Sequence, residues 1–226
     1  NDWNISDDSS YIHMVMNETI EGVACRSLDN LPEKVIVSDC SSNILSEQLD
    51  VKKFGLIYAG AQKNIGPAGL AIVIIRKDLI QKRDDLPALM SYQTYADSES
   101  MYNTPPTFAW YLSGKVFSWL KRNGGLKSIE EINLRKAKKL YDYIDNSDFY
   151  YNDVSIESRS IMNVPFLLND DSLNDSFLKD SEKEGLLNLA GHRSVGGMRA
   201  SIYNAVPEEA IDALVSFMDV FANKYG

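Results

Sequence analysis

Lys63 lies in the segment YAGAQKNIGPAGL (58–70), flanked by Gly60, Ala61, Gly66, Ala68 and Gly69. A lysine amine adds to carbonyl carbons and, once released, carries protons. Small neighbours let the backbone approach a flat ligand closely. Asp39 stands about two dozen residues earlier, in VSDCSSN, at the end of an apolar run. Together they supply what pyridoxal phosphate requires: an amine to link and shuttle, and an acid that keeps the ring nitrogen protonated so that the ring is an electron sink. Each also has an ordinary reading. Lys63 alone is a solvated lysine on a glycine-rich turn. Asp39 alone is a cap or turn residue.

A second cluster lies near the end of the chain. His192 and Arg193 are adjacent in a loop with Gly191, Gly196 and Gly197, and Arg199 follows at once. Arginine presents a planar fork of donors that suits carboxylates and phosphates. Histidine adds a donor, and a charge when protonated. A ligand with both a phosphate and a carboxylate needs about this equipment. The alternative is a solvated basic loop.

The elements that must position these groups can be read from the pattern. Tyr11–Val15, Val35–Val37, Leu56–Tyr58 and Leu70–Ile75 are short apolar runs, of the kind that form strands buried on both faces. The middle two end in small or polar clusters, and in open α/β sheets chemistry sits at the carboxyl ends of strands. Pro105-Pro106 opens a helix through Leu120, closed by Gly124-Gly125. Ser128 and Glu131 read as a capping box for the next helix, with Ile129, Ile132, Leu140, Tyr141 and Ile144 as its apolar stripe. Met162–Leu168 and Met198–Tyr203 read as strands, and Leu173–Glu184 as a short helix. A last helix opens at Pro207 and turns Ile211, Leu214, Val215, Met218 and Phe221 to one side. The expected division is residues 1–128, with the buried strands, and residues 129–226, a smaller α+β unit. Trp110 and Trp119 are expected in the core and His13 in the core or at its rim. The acidic stretch 170–184 is expected to be a solvated helix face.

Composition sets limits. The net charge of −9 argues against nucleic-acid binding, which needs a basic surface. The longest apolar run is too short to span a membrane. Cys25 and Cys40 form neither a disulfide framework nor a metal-ligand pattern, so no metal is expected. They read as reduced thiols of a cytoplasmic protein. The opening residues are polar and acidic, unlike a signal peptide.

The run SDCSSNILSEQLDVKKFGLIYAGAQKNIGPAGLAIVIIRKDL (38–79) resembles the cofactor-lysine region of the phosphoserine aminotransferase family, within the fold-type I, class V aminotransferases. NETIEGVA (17–24), YNTPPTFAWYLSG (102–114), NGGL (123–126) and GHRSVGGMRASIYNA (191–205) match the family pattern in the same order. The resemblance implies an α/β, fold-type I pyridoxal-phosphate-dependent transferase. It would have a partial large domain with a mainly parallel sheet and a smaller C-terminal α+β domain. The implied reaction moves an amino group between L-glutamate and 3-phosphohydroxypyruvate, giving O-phospho-L-serine and 2-oxoglutarate. It serves serine biosynthesis, and the family also acts in vitamin B6 synthesis.

The implied roles follow residue by residue. Lys63 corresponds to the lysine that holds the cofactor covalently, and Asp39 to the partner of its ring nitrogen. Thr19 corresponds to a contact of the ring oxygen, and Gln62 to a contact of the cofactor phosphate. Asn103 and Thr104 correspond to a pair that reaches the cofactor phosphate of the neighbouring subunit, so a homodimer is implied. His192 and Arg193 correspond to residues that hold the substrate phosphate, and Arg199 to the arginine that pairs with the α-carboxylate. The match begins well inside the large domain. The family's phosphate-binding turn, its ring-stacking aromatic residue and another substrate arginine have no counterpart in the sequence. The chain therefore reads as the C-terminal two-thirds of such an enzyme. Two alternatives stay open: a non-catalytic or truncated fragment, and a class V enzyme for another acid.

Overall fold

A computed structural model describes residues 3–226 of the chain. In chain order the strands and α-helices are β1 (Tyr11–Val15), β2 (Asn17–Glu18), β3 (Val23–Ala24), β4 (Val35–Asp39), β5 (Leu56–Gly60), β6 (Ala71–Ile75), α1 (Tyr92–Asp97), α2 (Thr107–Arg122), α3 (Gly125–Asp145), β7 (Tyr150–Tyr151), β8 (Asn163–Leu168), α4 (Asn174–Lys183), β9 (Met198–Ser201) and α5 (Glu208–Tyr225). They fall into two compact units. The first comprises the residues up to Met16, Ser27–Ile44 and Leu49–Arg122, and the second Asn17–Arg26, Leu45–Gln48 and Asn123–Gly226.

The first unit is built on a four-stranded sheet in the order β1-β4-β5-β6. The pairs β1–β4 and β4–β5 are parallel, and β6 returns antiparallel to β5. The sheet is thus mainly parallel, as the apolar runs suggested. Burial corrects one expectation. β1 and β4 alternate between buried and more open residues, so among the described residues only one face of the sheet is covered. Ile12, Met14, Ile36, Ser38, Ile57 and Ala59 form the covered face. β6 is more exposed still, with Val73 and Ile74 both at 41%. Helix α2 starts after the Pro105-Pro106 pair and ends in Lys121 and Arg122, cations suited to a helix C-terminus. Trp110, expected in the core, is exposed and Trp119 is only half-buried. The face of α2 buried here is instead Ala109, Ser113 and Leu120, of which the small Ala109 and Ser113 allow close packing. A Cβ at Gly66 would stand 2.6 Å from Ser113 Oγ, which is why that turn carries glycine. His13 is exposed as well, because its position in β1 points to the open face.

The second unit packs α3, α4 and α5 with the antiparallel sheet β7-β8-β9. Residues 17–24 add the two-stranded antiparallel pair β2–β3. Helix α3 corrects the capping reading. Gly124 caps it in the left-handed region at φ 88°, and Ser128 lies within the first turns of the helix. Of its expected stripe, Ile129, Leu140, Tyr141 and Ile144 are buried and Ile132 is half-buried. α4 and α5 likewise form where the pattern placed them, and α5 buries Ile211, Leu214, Met218 and Phe221.

Phe177 is at the middle of this core. It is fully buried, with ring centroids 5.0, 5.1, 5.7 and 6.1 Å from Phe217, Phe221, Phe166 and Tyr150, all edge-on. Phe177→Ala should destabilise the second unit by about 3–5 kcal/mol in chemical unfolding, the range for deleting a buried ring. A loss below about 1 kcal/mol would mean that the ring packs loosely.

Candidate active site

In the first unit the ends of three neighbouring strands are tied together. β4 terminates at Asp39, whose Oδ1 accepts from Ser41 N at 2.8 Å. That is the short-range turn expected of an aspartate at a strand end. Ser41 Oγ accepts in turn from Gly60 N at 3.0 Å, and Cys40 N donates to Tyr58 O at 2.8 Å. On the other side Met16 N donates to Asp39 O at 3.1 Å. The Asp39 backbone is thereby held between β1 and β5.

Lys63 is in the turn immediately after β5 and is half-buried. The turn is closed by Ala61 N to Leu70 O at 2.9 Å and by Gly66 N to Ala61 O at 2.7 Å. Asn64, next to the lysine, is buried and donates to Ile44 O at 3.1 Å. The backbone that carries Lys63 is therefore fixed independently of its side chain. Gln62 is exposed, and its side-chain amide folds over Gly60 so closely that a Cβ there would be 2.5 Å from Oε1. Gly69, at φ 101°, faces open space. Asn103 and Thr104 belong to the same unit. They are exposed, and Asn103 Nδ2 donates only to the neighbouring Thr104 O, at 3.2 Å, among the described contacts.

The second unit gathers Thr19, His192, Arg193 and Arg199. Thr19 is in the turn between β2 and β3, where Glu18 Oε2 accepts from Ile20 N at 2.9 Å and Glu21 N at 2.6 Å. Gly22, at φ 70°, completes the turn against Pro165, with no room for a Cβ. Arg199 is half-buried on β9, opposite Pro165 of β8. Its Nη1 donates to Thr19 O at 3.3 Å, and its Nε is buried with no hydrogen-bond partner among the described residues. A buried guanidinium nitrogen without an acceptor is costly and is suited to an incoming anion.

The His192–Arg193 loop is closed by Gly196 N to His192 O at 2.8 Å and by Gly191 N to Gly197 O at 2.9 Å. Gly196 and Gly197 take φ of 78° and 57°, the left-handed conformation that glycine adopts without penalty. His192 Nδ1 is 2.7 Å from Ser194 Oγ, and both His192 and Arg193 are exposed. Ser194, Val195 and Gly196 also line an open cleft of about 570 Å³, together with Tyr151, Pro165 and Phe166.

Sequence reading missed the residues behind these groups. Asn17 Nδ2 donates to Asn163 Oδ1 at 3.0 Å, and Asn163 Nδ2 donates to Tyr203 Oη at 3.0 Å, all within the second unit. Burial pushes the Tyr203 phenol up, while Asn163 and the Arg199 charge pull it back. The available signal was an asparagine inside the apolar run Met162–Leu168. No helix among the described residues is long and apolar enough to cross a membrane.

Residues 1–214 match the family model described as aminotransferase class-V. The phosphoserine aminotransferase of Acinetobacter baylyi is 59% identical over 228 residues, covering 100% of this chain and 63% of that protein. That of Hahella chejuensis is 55% identical over 224 residues, covering 99% of this chain and 62% of that protein. The chain thus spans a little under two thirds of the length of these curated relatives. Among solved structures, phosphoserine aminotransferase from Bacillus circulans subsp. alkalophilus superposes with a TM-score of 0.95 at 46% identity, over 98% of this chain and 62% of that one. The pyridoxal-phosphate-bound phosphoserine aminotransferase from Trichomonas vaginalis gives 0.90 at 41% identity, over 96% and 62%.

Proposed function

The chain belongs to the aminotransferase class-V family, and from that premise we propose that its protein is a phosphoserine aminotransferase. It would transfer an amino group between L-glutamate and 3-phosphohydroxypyruvate, in serine biosynthesis, with a related step in vitamin B6 synthesis as a second use. The observation that carries this reading is the joint placement of Asp39 and Lys63. Asp39 ends β4 and Lys63 follows β5, its parallel neighbour, and Ser41 and Gly60 bond the strand ends together. Identity of 59% to a curated phosphoserine aminotransferase along the whole chain supports it.

The donor set fits pyridoxal phosphate: an amine, a carboxylate and small residues where a flat ring must approach. When bound, that cofactor supplies an electron sink for the charge left by removal of the substrate α-proton. Lys63 would hold it through its amine, and the Lys63 Nζ would carry the proton from the substrate α-carbon. The Asp39 carboxylate would keep the ring nitrogen protonated, and Thr19 and Gln62 would help to hold the ring oxygen and the cofactor phosphate. Arg199 takes the α-carboxylate of the substrate, supported by its buried, unpartnered Nε. His192 and Arg193, in an exposed loop, take the substrate phosphate.

The protein acts as a homodimer in this reading, with Asn103 and Thr104 serving the cofactor phosphate of the second copy. α2 supports it: Phe108, Trp110 and Tyr111 are 70%, 43% and 58% exposed, an aromatic patch of the sort that interfaces bury. Residues 1–128 would be the C-terminal part of the cofactor-binding large domain and 129–226 the small domain. The reduced thiols of Cys25 and Cys40 suit a cytoplasmic enzyme.

The substrate assignment is tested at Arg193. In the intact protein, Arg193→Ala should lower kcat/KM for O-phosphoserine by about 10–100-fold, the worth of one charge-assisted hydrogen bond. The glutamate half-reaction should stay within about twofold. Equal losses for both amino acids would remove the phosphate role.

A further inference from the structure

We infer that Ser194 is a positioning residue for His192. It fixes the imidazole with its hydrogen on Nε2, so that this N–H is the donor offered to the substrate phosphate; the inference rests on the phosphate role proposed for His192. The loop does not need the serine side chain to hold its shape. Val195 N and Gly196 N both donate to His192 O, at 2.9 and 2.8 Å, and Gly191 N donates to Gly197 O at 2.9 Å. A Cβ at Gly191 would stand 2.0 Å from Gly196 O, so the backbone closes tightly on itself. Within that closed loop Ser194 meets one edge of the His192 ring.

Two groups of Ser194 converge on the same ring nitrogen. Ser194 Oγ is 2.7 Å from His192 Nδ1, and Ser194 N donates to that Nδ1 at 3.3 Å. The hydroxyl could give or take a hydrogen there, but the backbone amide can only give one. Nδ1 is therefore an acceptor, because a hydrogen on it would point into the amide. The hydroxyl donates as well, and the neutral ring carries its single hydrogen on Nε2. His192 is exposed, so its ring has little packing to hold it. Pinning Nδ1 sets both the tautomer and the direction of the Nε2 donor before a ligand arrives, which lowers the ordering that binding must supply. A serine present only to fill the turn would leave both tautomers available, and phosphate binding indifferent to its loss.

Two measurements on the intact protein separate these possibilities. With the histidine ring nitrogens isotope-labelled, the His192 resonances are identified as those missing from His192→Gln and read at a pH where the ring is neutral. Native protein should show Nδ1 as the bare nitrogen and Nε2 as the N–H. Ser194→Ala should bring the two shifts toward each other as the tautomers mix, and Ser194→Thr should keep the native pattern. A hydrogen on Nδ1 in native protein, or an unchanged pattern in Ser194→Ala, would overturn the role of the serine. In kinetics, Ser194→Ala should raise KM for O-phosphoserine about three- to tenfold. Its kcat, its glutamate half-reaction and its thermal midpoint should stay native, and Ser194→Thr should keep the native KM. A native KM for O-phosphoserine in Ser194→Ala would overturn the positioning role while leaving the proposed function intact. Equal losses for both amino acids in Arg193→Ala would overturn the phosphate reading of the loop, and this inference with it.

Discussion

Lys63→Ala should remove transamination from the intact protein, with a loss of about 10⁴-fold or more. Proton transfer by a positioned side chain is worth about 10²–10⁴-fold, and the covalent hold on the cofactor is lost with it. The substitution should not disturb the fold. The turn is closed by backbone bonds from Ala61 and Gly66, and Asn64 anchors it to Ile44 O. The same variant, mixed with pyridoxal phosphate, should lack the near-visible absorption that a lysine-linked cofactor gives. A small primary amine added to the assay should restore part of the rate, since it replaces the missing group. If the variant keeps the native absorption, Lys63 is not the linking residue.

Lys136→Met should be the most disruptive single change among the charged residues of the second unit. Lys136 is fully buried, and its Nζ donates to Ile202 O, Tyr203 O and Val206 O at 3.0, 2.9 and 3.0 Å. These carbonyls belong to the segment that leaves β9 and enters α5. Methionine fills the volume but leaves the carbonyls without their donor, at a cost of about 3 kcal/mol. The pH dependence has a definite sign. Burial pushes the Lys136 pKa down to about 8 from 10.5, against a smaller pull upward from Glu208. Between those values the unfolded chain binds more protons than the folded chain at this site, so its contribution to stability rises with pH across that window. Below about 8 both states carry the proton and the contribution is flat. The stability of native protein minus that of Lys136→Met, measured in urea, should therefore widen from about pH 8 toward 10.5. Taking the difference removes the other lysines and tyrosines. A gap independent of pH would mean that the ammonium is not desolvated.

The elements that positioned themselves in the sequence were those with local signatures. Apolar runs marked β1, β4 and β5, and proline and glycine marked the ends of α2 and the start of α5. Other features depend on partners far along the chain. Residues 17–26 and 45–48 pack with the second unit, although they precede most of it by some hundred residues. Nothing in their local spacing records that. The two-residue strands β2, β3 and β7 are too short to carry a period. The Ser128–Glu131 spacing mimicked a cap, but the left-handed Gly124 starts the helix earlier. Trp110 had core spacing on a face that this chain leaves open. For the candidate site, the charged groups were legible because few residue types perform their chemistry. Their supports were not. Asn163 reads as a break in an apolar strand, and Lys136 as a solvated lysine on a helix, until the fold brings their partners to them.

The amide pair of Asn17 and Asn163 joins positions 146 residues apart, and Arg199 reaches Thr19 across 180. In the descent of this chain those positions are not free to drift separately. A change at Asn163 that deprives the buried Asn17 of this acceptor is felt at the turn carrying Thr19, and the repair has to arise 146 residues away in the sequence. The two ends of the second unit are in that sense inherited as one trait.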